Sequence, residues 1–257
     1  MAKIIAVANQ KGGVGKTTSA INISASLGHF GKKTLLIDAD PQGNSTSGVG
    51  IDKNSVKSSF YDALIGNSTI KSTIMRTSFD NLYICPCNID LAGAEIELVG
   101  LEEREFQFNN IIDKITSEYD FIIIDCPPSL GLITINILAG SDSVLVPLQC
   151  EYFALEGLSQ LVSTVKKIKS SYNTNLEIEG VVLTMYDGRT NLTIQVASEI
   201  KKYFGNKVYK TPIPRSVRLG EAPSYGEPIL YYDKNSKCSL AYLEISKQII
   251  EDNKTND

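Results

Sequence analysis

The chain has 257 residues, 42% of them apolar and 21% charged, enough to bury a sizeable core and too apolar for a disordered chain. No apolar run approaches the roughly 18 residues of a membrane-spanning helix, and the stretch after Lys3 is too short for a secretion signal, so a cytoplasmic protein is expected. One histidine, five cysteines without a C-x-x-C pair and a net charge of −4 exclude a multi-histidine metal site and an ordinary Ser-His-Asp triad, favour reduced buried thiols, and do not mark an obvious nucleic-acid binder.

Ile4 to Ala8 reads as a first buried strand. Directly after it come Lys11, Gly12, Gly13, Val14, Gly15, Lys16, Thr17 and Thr18, and then a helical pattern of Ala20, Ile23, Leu27 and Phe30. Glycines let the backbone wrap tightly enough to aim N–H groups at phosphate oxygens, and the helix N-terminus adds a favourable dipole. In such a loop Lys16 reaches the β- and γ-phosphates and the Thr17 hydroxyl ligates Mg²⁺. The ordinary pattern asks for glycine at the position of Gln10; this loop instead starts with an extra lysine, Lys11.

A second strand, Thr34 to Ile37, ends in Asp38-Ala39-Asp40-Pro41-Gln42-Gly43-Asn44, which sets two carboxylates at a strand's C-terminal end, where ligands bind in such sheets. Leu82 to Cys85 is a third strand. Phe121 to Ile124 is a fourth, ending in Asp125, an acid suited to hold Mg²⁺ through water. Val144 to Val146 and Gly180 to Thr184 complete the strands. Leu155, Leu158, Val162 and Val165 predict a helix between them, and Cys238, Tyr242, Ile245 and Ile249 predict the last one. Strands alternating with helices predict an α/β fold, a single P-loop domain over 1–257 with a mostly parallel twisted sheet flanked by helices, and a polar tail from about 252 that frays. From Gly157 to Gly220 there are ten basic residues against four acidic ones, so a local cationic region coexists with the negative total.

The loop with Lys11 resembles those of the deviant Walker A ATPases, the MinD/ParA superfamily. In that group the signature lysine reaches across a face-to-face homodimer to the partner's phosphates and supplies transition-state charge. The segments Asp38 to Asn44, Asp125-Cys126-Pro127-Pro128-Ser129-Leu130-Gly131, Gln149-Cys150-Glu151-Tyr152-Phe153-Ala154-Leu155-Glu156-Gly157-Leu158 and Glu221-Ala222-Pro223-Ser224-Tyr225-Gly226 look like the chromosomal ParA (Soj) partition ATPases, from Lys3 to about Ile250. The resemblance implies weak Mg²⁺-dependent hydrolysis of ATP to ADP, with Lys11, Lys16 and Asp40 catalytic. Asp40 would orient or deprotonate the attacking water, and Asp38 would stand near the Mg²⁺ shell with Thr17 and Asp125. Pro212 and Pro214 match a segment near adenine, and Met185 is placed at the base by the same analogy, with core packing its equal rival. The resemblance further implies an ATP-bound dimer on nonspecific double-stranded DNA, held by Arg189 and Arg218 with Lys201 and Lys202 contributing. A ParB-type centromere-binding protein would stimulate hydrolysis and release the ATPase from the nucleoid, driving chromosome or plasmid segregation.

Three departures accompany the match. The chain starts one strand before the loop, so operator-specific autoregulation by a helix-turn-helix extension is not expected. Cys238 stands where relatives often carry glycine, which predicts a local change at the start of the last helix. No C-terminal tyrosine cluster of the tyrosine-kinase kind is present. The main rival is a MinD-like membrane-associated division-site ATPase, which needs a basic amphipathic C-terminal helix. Leu240 to Asp257 carries two basic and four acidic residues, and no membrane partner is expected. An iron–sulfur scaffold on the same fold needs surface cysteines, and a carboxylate-activating ligase needs a small acid.

Overall fold

The computed structural model describes residues 1–152 and 154–254; Phe153 and the expected fraying of 255–257 lie outside the described residues. In chain order the elements are β1 (Lys3–Val7), α1 (Lys16–His29), β2 (Thr34–Asp38), α2 (Asn44–Gly48), α3 (Phe60–Leu64), α4 (Ile70–Thr73), β3 (Met75–Arg76), β4 (Leu82–Cys85), α5 (Leu91–Val99) and α6 (Gln107–Ile112). They continue with β5 (Phe121–Asp125), α7 (Leu132–Ala139), β6 (Ser143–Gln149), α8 (Ala154–Ser171), β7 (Glu177–Thr184), α9 (Asn191–Phe204), α10 (Val217–Glu221), α11 (Ile229–Tyr232) and α12 (Lys237–Asp252).

The strands form one sheet in the order β3-β4-β2-β5-β1-β6-β7, parallel throughout except for β3 against β4. β2 and β5 are buried at every residue, because a parallel sheet covered on both faces leaves no side for polar groups. Alternation divides their side chains between two cores. Ile4, Ala6, Leu35, Ile37, Ile122 and Ile124 belong to one, with Leu91, Phe108, Ile137 and Leu158 from the helices beside it. Ile5, Val7, Leu36 and Ile123 belong to the other, with Ile23 and Leu27 of α1 and Tyr242, Ile245 and Ile249 of α12. α12 therefore spends its apolar face on α1. Its buried Ser19–Tyr242 hydroxyl contact of 3.3 Å ties the two helices. Cys238 is buried in its first turn, with the thiol 3.5 Å from the Pro214 carbonyl.

Three differences from expectation have physical causes. β7 begins at Glu177 rather than Gly180, because Glu179 is sheltered by Ser143, Lys3 and Asn253 and the polar start can pair. β6 runs to Gln149 past Pro147, whose carbonyl accepts from Asn9 at 2.7 Å. β3 is two exposed residues at the sheet's edge, too short to carry a pattern.

The chain crosses β1 when it passes from β5 to β6, so the order reverses there, and the crevice at the strands' C-terminal ends opens beside the glycine loop.

Candidate active site

The loop after β1 enters α1 through Gly13 and Gly15, both with positive φ (72° and 85°), a backbone that L side chains rarely adopt. No side chain caps α1, and the Ser19 amide is bonded back to Gly15 at 2.9 Å, so the N–H groups of the first turn face the crevice without an internal partner. Thr184 of β7 pins the loop from beneath, its hydroxyl donating to the Val14 carbonyl at 2.8 Å. Lys16 is buried, and its ammonium donates to the Lys11 carbonyl at 3.1 Å across the loop mouth. Burial lowers the Lys16 pKa, and the nearby charges of Asp125 and Asp40 oppose that shift.

Asp38 and Asp125 are register partners at the ends of β2 and β5 and are wholly buried. Desolvation raises both carboxyls, with mutual repulsion next for Asp125, while hydrogen bonds from Thr46 oppose it at Asp38. Thr46 donates to Asp38 Oδ2 from its amide and its hydroxyl, both at 2.7 Å. Thr17 and Ser45 hydroxyls hold Asp125, Ser45 at 2.8 Å on Oδ2. Asp125 Oδ1 is buried and has no hydrogen-bond partner among the described residues. An orphaned carboxyl oxygen beside a threonine hydroxyl fits a hard divalent cation, and the all-oxygen set fits Mg²⁺. Asp40 is only half-buried, and its Oδ1 accepts from the Gln42 amide at 3.0 Å, so its carboxylate is held in place at the crevice.

Lys11 stands outside this pocket. Its ammonium pairs with Glu151 Oε2 at 2.6 Å, in the segment after β6, with both side chains partly exposed. On the far side of the loop, Met185 directly follows β7 with φ 49°, a strained conformation for a residue with a side chain. Tyr186 donates its amide to the Ile213 carbonyl at 2.9 Å and bridges Pro214, which brings Met185 together with Pro212 and Pro214.

The four cationic candidates are less closely grouped. Arg189 is 88% exposed and makes two bonds to Asp187, 2.8 Å from Nε and 2.7 Å from Nη2, holding that acid down at about 2. Arg218 lies near Glu221 and Asp233, its guanidinium 5.8 Å from the Tyr232 ring centroid. Lys202 pairs with Glu199. Lys201 instead lines a cleft of about 1590 Å³ with Lys3, Glu177 and Lys207, at the strands' N-terminal ends and away from the crevice.

Asn9, Ser45, Thr46 and Glu151 were not among the sequence candidates. Ser45 and Thr46 follow Asn44 directly, so a serine-threonine pair after two strand-end acids was the available signal; Glu151 meets Lys11 from 140 residues away and carried none. All five cysteines are buried, and desolvation raises their thiols, to about 12 for Cys85 and about 11 for Cys150, which removes the surface thiols that an iron–sulfur scaffold needs.

A family described as an AAA domain matches residues 2–178. The sporulation initiation inhibitor protein Soj of Bacillus subtilis is 55% identical over 249 residues, covering 97% of this chain and 98% of that one. The chromosome partitioning protein ParA of Myxococcus xanthus is 48% identical, covering 97% and 88%. Among solved structures, a cobyrinic acid a,c-diamide synthase of Mycobacterium smegmatis with bound ADP and magnesium superposes with a TM-score of 0.87 at 35% identity, over 100% of this chain and 97% of that one.

Proposed function

From a chain that belongs to the Soj/ParA family of chromosome-partitioning ATPases, we propose a DNA-positioning switch run by slow Mg²⁺-dependent ATP hydrolysis. The observation that carries the hydrolytic part is the buried, unpartnered Asp125 Oδ1 at the mouth of a loop whose helix N-terminus is open and whose lysine is buried. The first-turn amides of α1 and the Lys16 ammonium bind the phosphates, Thr17 and Asp125 hold the cation, and Asp38 buttresses that shell through Thr46. Mg²⁺, when bound, neutralises phosphate charge and aids departure of the leaving group. Asp40 orients the attacking water and takes its proton. The base rests between Met185 and the Pro212–Pro214 segment.

Lys11 gives the switch its dimeric character: released from Glu151, it reaches the second copy's phosphates and adds positive charge as the bond breaks. Only the closed ATP dimer sets Arg189, Arg218 and Lys202 of both copies along one duplex, with Lys201 a weaker contributor. Arg189 uses two donors on Asp187 and keeps others for DNA phosphates. A ParB-type protein accelerates hydrolysis, and the ADP-bound monomer leaves the nucleoid.

Steady-state ATP hydrolysis tests this reading with DNA and a ParB-type protein present. Lys16→Ala should abolish nucleotide binding, whereas Asp40→Ala should keep ATP bound and lose turnover. Normal hydrolysis by Asp40→Ala would remove Asp40 from the water's position. The likeness to the diamide synthase supplies a second reading, a ligase, which predicts turnover that depends on a small carboxylic acid and ignores DNA.

A further inference from the structure

Helix α5 is apolar on two sides. Leu91, Ala94 and Leu98 are buried and fix it to the core beside α3 and α7. Ala92, Ile96 and Val99, spaced four and three residues apart, form a second stripe turned to solvent, with Ile96 80% exposed, and Ile89, 66% exposed in the turn before the helix, adds to it. Leu101 extends it. That spacing is the seam by which one helix packs on another, and surface helices ordinarily carry polar residues there. Acids surround the stripe: Asp90, Glu95, Glu97, Glu102, Glu103 and Glu105, against Arg104 alone among residues 88–106.

We propose that the outer face of α5 docks a cationic amphipathic helix of the ParB-type protein, and that this contact is transmitted to the site's carboxylates; the proposal rests on the partition reading above. Charge selects this occupant. DNA is repelled by the acids, and a second copy meeting the same face about a two-fold axis would set acid against acid. An amphipathic helix with Lys or Arg beside its apolar stripe satisfies both features.

Transmission follows from two contacts, one on the segment that leads into the helix and one at its middle. In front, the Cys87 amide donates to Thr46 Oγ1 at 2.9 Å, and that hydroxyl donates to Asp38. Behind, the Glu95 carboxylate lies against Gly131, where an added Cβ would stand 1.8 Å from Oε1. Gly131 caps α7 at the end of the segment that leaves Asp125. On this proposal a movement of α5 is felt at Thr46, which bonds Asp38, and at the segment that leaves Asp125. Tyr61 anchors the last turn, its hydroxyl donating to Glu97 at 2.7 Å.

The test uses the full chain and the ParB-type protein as probe, with Ile96→Ser and the double variant Glu102→Lys/Glu103→Lys. Both changes are on exposed side chains, so melting temperature, basal hydrolysis and ATP-dependent dimerisation should match the wild type. Affinity for the ParB-type protein should fall about tenfold or more for Ile96→Ser. The charge reversal should weaken stimulation about tenfold and flatten the salt dependence of what remains. Full stimulation of both variants would overturn the docking surface while leaving the partition reading intact. Loss of ATP-dependent dimerisation in Ile96→Ser would overturn it in favour of a contact between copies. If the wild type itself is neither bound nor stimulated, the partition reading and the docking surface fall together.

Discussion

Asp38 and Asp125 give the site its pH dependence. Burial raises both carboxyls well above the ordinary carboxylate range in the folded chain, against about 3.9 when unfolded. The folded state thus binds more protons than the unfolded one across the interval between the two, and stability falls as pH rises through it. The nucleotide-free protein should melt at a lower temperature near pH 8.5 than near pH 5.5, and Asp125→Asn should flatten that slope. Mg²⁺ with ADP should restore most of the loss at the higher pH. A melting temperature that does not change with pH would contradict the account of the two acids. Lys11 makes a second prediction. Its pair with Glu151 is partly exposed on both sides, so Glu151→Gln should cost under about 1 kcal/mol of stability. By releasing Lys11 it should tighten ATP-dependent dimerisation up to about fivefold. Weaker dimerisation would instead assign Glu151 to the closed form.

At the scale of elements, glycine positions distinguish packing from propensity. Gly28 in α1 lies so close to the turn after β3 that an added Cβ would stand 2.1 Å from the Asp80 carbonyl oxygen. Gly28→Ala should destabilise by at least about 1–3 kcal/mol, a fall of about 2–4 °C in Tm for each kcal/mol. Gly157, half-buried in α8 with no atom within 4 Å of an added Cβ, should gain about 0.5–1 kcal/mol as alanine. Equal effects in thermal melts would refute the close approach at Gly28. The main strands were legible because burial on both faces demands continuous apolar runs, as Phe121 to Ile124 shows. β3 was not, because two exposed residues carry no period, and neither was the polar start of β7, whose Glu179 is satisfied only by Lys3, Ser143 and Asn253 brought from elsewhere in the chain. The phosphate loop was legible because its chemistry is local. Glu151 and Thr46 were hidden because tertiary contacts alone deliver them to Lys11 and Asp38.

For the whole molecule, the sign of the total charge misleads. The acidic residues around α5 and the basic residues from Gly157 to Gly220 lie on different segments of the chain, so a net charge of −4 does not by itself exclude the proposed phosphate contacts. Arg189→Glu should weaken duplex binding across all sequences and reduce its salt dependence without altering dimerisation, and Lys201→Glu, on the cleft at the opposite end of the sheet, should do less. Unchanged binding by Arg189→Glu in a salt titration would move the DNA surface elsewhere. Nucleotide, pairing and DNA meet in sedimentation velocity of Asp40→Ala with Mg²⁺ and ATP, with and without a nonspecific duplex. The account predicts a dimer only when ATP is present, and co-sedimentation of that dimer with the duplex. A species that stays monomeric at saturating ATP would contradict it.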